Sequence, residues 1–173
     1  MKILLIGYRG SGKTTVGRLL AGRLALPLID IDDRIVIRSG LSVREIFDQH
    51  GETGFRRLES KAIADAFDGN HWVIAAGGGA MMVPENRAAV PPGTHVVLLH
   101  ARPDELHRRI TGDPATAAGR PALTAAGGIA EIHHLLETRL PVYRGVSTLE
   151  LDTTGLTPDE VVGRVIAHTQ DRP

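Results

Sequence analysis

The sequence predicts an α/β fold in three layers, a parallel sheet of five strands between two layers of helices. Three observations predict it. Short apolar runs of strand character begin at residues 2, 26, 72, 94 and 148. Helical patterns separate each run from the next, and strands that alternate with helices pair in parallel. The first run leads directly into Gly7-Tyr8-Arg9-Gly10-Ser11-Gly12-Lys13-Thr14, a glycine-rich turn that opens a helix.

That turn fits G-x-x-x-x-G-K-[ST], the phosphate-binding P-loop. Its glycines let backbone N–H groups wrap a phosphate, and the helix behind brings its positive dipole end to the same place. Lys13 can reach the β- and γ-phosphates of a nucleoside triphosphate, and the Thr14 hydroxyl can ligate Mg²⁺. A dinucleotide fingerprint would need a third glycine where Thr15 stands. The helix that follows, over 14–25, puts Val16, Leu19, Leu20 and Leu24 on one face.

The second run, 26–33, reads as a strand ending in acids. In extended chain Asp30 and Asp32 project to one side and Asp33 to the other. Acids at the C-terminal end of a parallel strand stand where open α/β sheets bind ligands. The plainer reading is a helix cap, which suits Asp33 best. A short helix over 33–40 stops at Gly40. Ser42-Val43-Arg44-Glu45 is a capping box that opens another, buried through Ile46 and Phe47 and ending near Gly51. Over 54–67 Phe55, Leu58, Ala62, Ile63, Ala66 and Phe67 share an apolar face. Beside it Arg56, Arg57 and Glu59 read as a solvated flank with an i,i+3 pair between Arg56 and Glu59.

The run 72–76 is apolar on both faces and passes into Gly77-Gly78-Gly79. Three consecutive glycines lose much chain entropy on folding, so bare backbone at the ligand edge of the sheet is the expected return. A short helix over 84–90, a strand over 94–99 and a helix over 103–110 follow. Residues 111–128 carry only Asp113 and Arg120 as charged groups and form a long loop. Such a loop in a compact fold is functional or mobile, and in phosphoryl transfer it is a natural lid. A helix over 129–140 turns Ile129, Ile132, Leu136 and Leu140 inward and is expected to end or kink at Pro141. After the last strand, 148–152, Thr157-Pro158-Asp159-Glu160 is a capping box with proline at the first helical position. It opens a helix that buries Val161, Val162, Val165 and Ile166.

With 173 residues, the chain suffices for one domain with a real core. Its net charge is zero, so no general attraction to nucleic acid or anionic membrane is expected. No apolar stretch reaches transmembrane length, and no signal peptide is read, because the P-loop follows the first apolar run directly. The cytoplasm is the expected location. Cysteine is absent, which removes disulfides and thiolate metal sites. The adjacent His133 and His134 face different directions and make no i,i+4 metal pair.

In order, these motifs resemble the shikimate kinase family, within the P-loop NTPase group that is like the nucleoside-monophosphate kinases. The resemblance spans nearly the whole chain. It rests on Gly7–Gly17, Asp30-Ile31-Asp32, Ile46-Phe47 with Gly51-Glu52, Phe55-Arg56-Arg57 with Glu59, Gly77-Gly78-Gly79-Ala80, Arg120-Pro121, and Arg139, Pro141, Tyr143 and Arg144. It implies one domain over 1–173, a strand order of 2-3-1-4-5, an acceptor-binding region at about 31–61 and a mobile lid at about 111–128. It implies ATP and Mg²⁺, with ATP-dependent phosphorylation of the shikimate 3-hydroxyl in aromatic amino acid biosynthesis, by a monomer whose partner is a small molecule. By position, Gly10, Ser11, Gly12, Lys13, Thr14 and Thr15 would hold the phosphates, and Arg109 and Pro158 would flank adenine. Thr14, and Asp30 through water, would hold the metal. Asp32 would bind the shikimate hydroxyls as a candidate base. Arg56 and Arg139 would clamp the carboxylate, Gly78 and Gly79 would offer backbone contacts, and Arg120 would descend on the phosphates.

Three features depart from the family pattern. The lid is a few residues longer, Ala122 replaces a leucine after Arg120-Pro121, and Ala75 replaces a small hydroxyl residue before the glycines. Two other functions stay open at this stage: a kinase for a related polyol acid, such as aminoshikimate or a gluconate-like acid, and a nucleotide-binding switch without transfer chemistry. The absence of a guanine-reading Asn/Thr-Lys-x-Asp motif weighs against a GTPase switch.

Overall fold

The computed structural model describes residues 1–113 and 127–171, the Asp171 side chain apart. Its centre is a parallel sheet of β1 (Lys2–Ile6), β2 (Leu28–Asp30), β3 (Trp72–Ala75), β4 (His95–His100) and β5 (Leu149–Asp152). The order is β2-β3-β1-β4-β5, as the resemblance implies. Ile3 pairs with Val73 on one side and His95 on the other, so β1 is central.

Period-two alternation divides the core. Leu4 and Ile6 of β1, Trp72 and Ile74 of β3, and Val96 and Leu98 of β4 fill one face of the sheet. Ile3 and Leu5, Val73, and Val97 and Leu99 fill the other. A strand covered on both faces has apolar residues at successive positions, which is why these runs read as unbroken. Against the second face pack α1 (Lys13–Leu24) and α7 (Pro158–Asp171), through Val16 and Leu20 and through Val161, Val162 and Val165. Against the first pack α2 (Ile31–Ser39), α3 (Val43–Ala66) and part of α6 (Gly128–Val146). The remaining helices are α4 (Pro84–Ala88) and α5 (Pro103–Gly112).

Several local expectations are corrected. The strand expected over 26–33 stops at Asp30, and Ile31 already belongs to α2. Asp30, not Asp33, caps that helix, accepting from the Asp32 and Asp33 N–H groups. Asp32 is therefore helical and does not share a strand face with Asp30. The helix expected to end or kink at Pro141 runs on to Val146. Proline removes one N–H from the ladder, but beyond it Tyr143 is buried to 1% exposure and anchors the extra turn. Arg56 and Glu59 do pair, but they are not a solvated flank, since Glu59 is fully buried. Leu58 and Ile129, expected inside, are exposed.

The break between the two helices expected around Gly51 is present as a residue with φ 65° and ψ −176° inside α3. Ser42 and Glu45 exchange the hydrogen bonds of a capping box at its start, with Ser42 N–H to Glu45 at 2.7 Å. A short 3-10 turn, Ala80–Met82, follows the triple glycine and is pinned from α4. The buried Asn86 donates to the Ala80 carbonyl at 2.8 Å and Arg87 to that of Met81 at 2.6 Å. Of the expected lid, residues 114–126, with Arg120, lie outside the described residues. Thr111 and Gly112 extend α5, and Gly128 begins α6.

Candidate active site

The P-loop leaves β1 and enters α1 with three glycines at positive φ: Gly7 (139°), Gly10 (77°) and Gly12 (95°). A Cβ on Gly7 would stand 2.0 Å from the Leu99 carbonyl oxygen, so only glycine passes there. Gly12 caps α1 with no side-chain bond, and no acid stands in the first turn. The free N–H groups and dipole of the helix end are thus left for an anion. Lys13 is held ready: Nζ donates to the carbonyls of Gly7 at 2.8 Å and Tyr8 at 2.9 Å.

At the foot of the same helix the Thr14 hydroxyl donates to Asp30 Oδ2 at 2.7 Å. Burial raises the Asp30 carboxyl above its ordinary value of 3.8; the Thr14 bond opposes this, while Asp32 and Asp33 add to it. Arg109 is fixed beside the loop. It donates to Glu105 at 2.7 Å, and to the hydroxyl and carbonyl of Thr153 at 2.9 and 2.8 Å. A hydrogen bond from Arg108, seconded by one from Arg109, holds Glu105 down at about 2. Pro158 stands exposed at the start of α7, shortly after Thr153.

The triple glycine lies opposite. A Cβ on Gly77 would fall 2.1 Å from Glu59 Oε1 and 3.3 Å from Asp32 Oδ1. A Cβ on Gly79 would fall 2.2 Å from Arg56 Nη2. Arg139, only 8% exposed, donates to the Gly78 carbonyl at 3.3 Å, and the Tyr143 hydroxyl donates to the same oxygen. Gly77 and Gly79 are thus bare because the Glu59, Asp32 and Arg56 side chains fill the space beside them. Two guanidiniums, from α3 and α6, meet at one turn, with the Asp32 and Glu59 carboxylates beside it. Gly78 also reaches the P-loop, since a Cβ there would stand 3.4 Å from the Arg9 amide nitrogen. A glycine-rich P-loop and a cation-rich turn therefore share one edge of the sheet.

A family model described as shikimate kinase matches residues 9–170. The chain belongs to the shikimate kinase family. The shikimate kinase of Rhodopirellula baltica is 38% identical over 164 residues, covering 95% of this chain and 88% of that one. The structure of shikimate kinase from Acinetobacter baumannii in complex with shikimate superposes with a TM-score of 0.91 at 29% identity, over 98% and 93% of the two chains. A gluconokinase from Sinorhizobium meliloti reaches a TM-score of 0.60 at 19% identity, over 98% and 91%, which shows a shared fold alone.

In this shikimate kinase family member the fold brings Lys13, Thr14, Asp30, Asp32, Arg56, Gly78, Gly79, Arg109 and Arg139 to the C-terminal edge of the sheet. Sequence reasoning missed Glu59 and Tyr143 as parts of that edge. A signal existed for each. Glu59 lies four residues after Phe55 and four before Ile63, inside the apolar stripe of its helix. A charge on a buried stripe is a functional candidate, not a solvated flank. Tyr143 lies one helical turn after Arg139, beyond a proline that hid the continuity of the helix.

Proposed function

We propose that this enzyme transfers the terminal phosphoryl group of ATP to the 3-hydroxyl of shikimate, giving shikimate 3-phosphate and ADP. The observation that carries the reading is the meeting of Arg56 and Arg139 at Gly78 and Gly79, with Asp32 alongside. Two planar cations suit one carboxylate in a fixed orientation, and a carboxylate suits a vicinal diol.

The roles are those that the family resemblance implies, and the arrangement of the described residues supports them. Gly10, Ser11, Gly12, Lys13, Thr14 and Thr15 cradle the phosphates of ATP, and Arg109 and Pro158 flank its base. Arg56 and Arg139 hold the shikimate carboxylate, and the Gly78 and Gly79 backbone completes that wall. Asp32 binds the ring hydroxyls and aims the 3-oxygen at phosphorus. As the new O–P bond forms, the bond to ADP breaks and the hydroxyl proton leaves toward Asp32. Arg120 completes the charge neutralisation that phosphoryl transfer requires.

The donor set fits Mg²⁺. Thr14 and Asp30 supply one hydroxyl and one carboxylate 2.7 Å apart at the P-loop. Among the described residues no group of three or more acids, histidines or cysteines could enclose a metal ion. Mg²⁺ takes one or two protein groups, keeps several waters and relies on phosphate oxygens for the rest. Bound there, the ion neutralises charge on the phosphates.

The whole chain acts as one domain, a cytoplasmic monomer whose partner is the small molecule, with neither nucleic acid nor membrane engaged. A net charge of zero gives no general attraction to nucleic acid or anionic membrane. Among the described residues no helix is long and apolar enough to cross a membrane.

ADP release in the presence of ATP and Mg²⁺, with shikimate, quinate, aminoshikimate and gluconate offered in turn, tests the proposal. Shikimate is expected to give the highest kcat/KM. Faster turnover of gluconate would overturn the acceptor assignment, and no turnover with any acceptor would overturn the kinase reading.

A further inference from the structure

The P-loop and α6 are joined by a charged contact that the proposed reaction does not use. Arg9 donates from Nη2 to Glu131 Oε1 at 3.2 Å. Glu131 lies in the first turn of α6 and is fully buried. Arg139, of the carboxylate clamp, stands further along the same helix. Between the two, Ile132 and Leu136 pack in one cluster with Tyr8, the neighbour of Arg9. Arg139 then closes over the Tyr8 ring, its Cζ 5.8 Å from the centroid.

Helix α6 is thus tied to the P-loop at three levels along its axis: by charge at Glu131, by packing at Ile132 and Leu136, and by a cation–π contact at Arg139. The Tyr8 hydroxyl lies within this cluster, and burial raises its pKa, with Arg9, Glu131 and Arg139 all acting on it. A buried ion pair gives little net stability, because desolvation offsets the Coulomb gain; its best-attested use is to fix a register. Residues 131 and 139 are separated by about 12 Å along a helix and about 80° around it. A slide or roll of α6 at Glu131 is therefore transmitted to the Arg139 guanidinium.

We propose that Arg9 and Glu131 are positioning residues: their ion pair sets the register of α6 against the P-loop and so the seat of Arg139 on the acceptor carboxylate. The proposal rests on the reading of this site as that of a shikimate kinase. It assigns the third P-loop residue, which needs no particular side chain to hold phosphate, a role in binding the acceptor.

The test uses Glu131→Gln and the double variant Arg9→Met/Glu131→Met, which replaces the pair by apolar groups of similar length. KM for shikimate, KM for ATP, kcat and the melting temperature are measured for each. Both variants are expected to raise the shikimate KM about tenfold, as small misplacements of a binding group do, with the ATP KM and kcat nearly parental. The double variant is expected to melt near the parent and still show the raised KM, which separates positioning from stability. A parent that turns over shikimate, with either folded variant keeping its shikimate KM, overturns the positioning role alone. An equal rise in both KM values also overturns it, since the pair would then brace the P-loop generally. A parent that does not turn over shikimate overturns the reading beneath it.

Discussion

The guanidinium of Arg56 occupies the space that a side chain on Gly79 would fill, with a Cβ there only 2.2 Å from Nη2. Gly79 has φ −106° and ψ −1°, a backbone open to any residue. Its lack of a side chain therefore serves Arg56, not the turn. Gly79→Ala is expected to push the guanidinium aside and raise the shikimate KM about tenfold or more. The ATP KM should change little, while the melting temperature should fall, because the displaced guanidinium no longer pairs with the buried Glu59. An alanine variant with a parental shikimate KM would show that Arg56 does not act from this seat.

Glu59 holds Arg56 from behind at 2.6 Å and is fully buried. Although burial opposes the charged form of Arg56, Glu59 and Glu52 outweigh it and raise the guanidinium pKa. Glu59→Ala should cost about 2–3 kcal/mol of stability, somewhat below a fully buried pair because Arg56 keeps some solvent. It should also raise the shikimate KM. Urea denaturation and steady-state kinetics check the two effects, and an unchanged denaturation midpoint would remove Glu59 from the support of the clamp.

Asp30 carries a pH signature. Its folded pKa is raised, above all by burial. The contribution of such a group to stability is full below the unfolded value and is lost as pH rises through the folded one. The ionised Asp30 therefore destabilises the fold at neutral pH. Asp30→Asn keeps a capping oxygen and should raise the melting temperature at pH 7 to 8, a gain that fades as pH falls toward 3.8. The same variant should require more Mg²⁺ for half-maximal rate. A lower melting temperature at pH 8 would contradict the burial argument, and an unchanged Mg²⁺ requirement would contradict the metal role.

Lys13 is oriented by the carbonyls of its own loop. Lys13→Met removes the cation proposed to neutralise the transferring phosphoryl and should lower kcat about 10³-fold, the scale of a lost transition-state donor. Single-turnover measurement of phosphoryl transfer checks it; a kcat within a few-fold of the parent would take Lys13 out of the mechanism.

Arg139→Ala removes the bond to Gly78, the contact with Tyr8 and the proposed clamp together. The shikimate KM should rise about 10²-fold, as when a charge-assisted bidentate contact is lost, while nucleotide affinity by titration stays near the parent. Equal losses for both substrates would count against the clamp.

Much of this molecule was legible in sequence because its signals are local. Apolar runs of strand length, the capping box at Ser42 and Glu45, and the glycine spacing of the P-loop each need only a few neighbouring residues. The strand order and the clamp pair came from the resemblance, not from periodicity. The misreadings have one cause, a local rule overridden by distant packing. Pro141 should stop a helix, yet Tyr143 and Arg139 are held at Gly78 of another element, and the helix continues. The apolar neighbours of Asp32 suggest a strand, but Asp30, two residues earlier, caps α2 and puts Asp32 in the helix. Glu59 follows Arg56 and Arg57 in the sequence, and local charge pattern alone groups it with a solvated flank.

The sequence alone determined the donor half of the site. Gly7, Gly12, Lys13 and Thr14 are close along the chain, and their spacing suffices to make a phosphate cradle at a helix end. Only the tertiary structure assembled the proposed acceptor half. Arg56, Glu59, Gly77–Gly79 and Arg139 come from different elements, and only packing α3 and α6 on the same sheet face brings them to one turn. A contact between distant residues is decided by the balance of burial, pairing and desolvation across the whole core, and no window of sequence contains that balance.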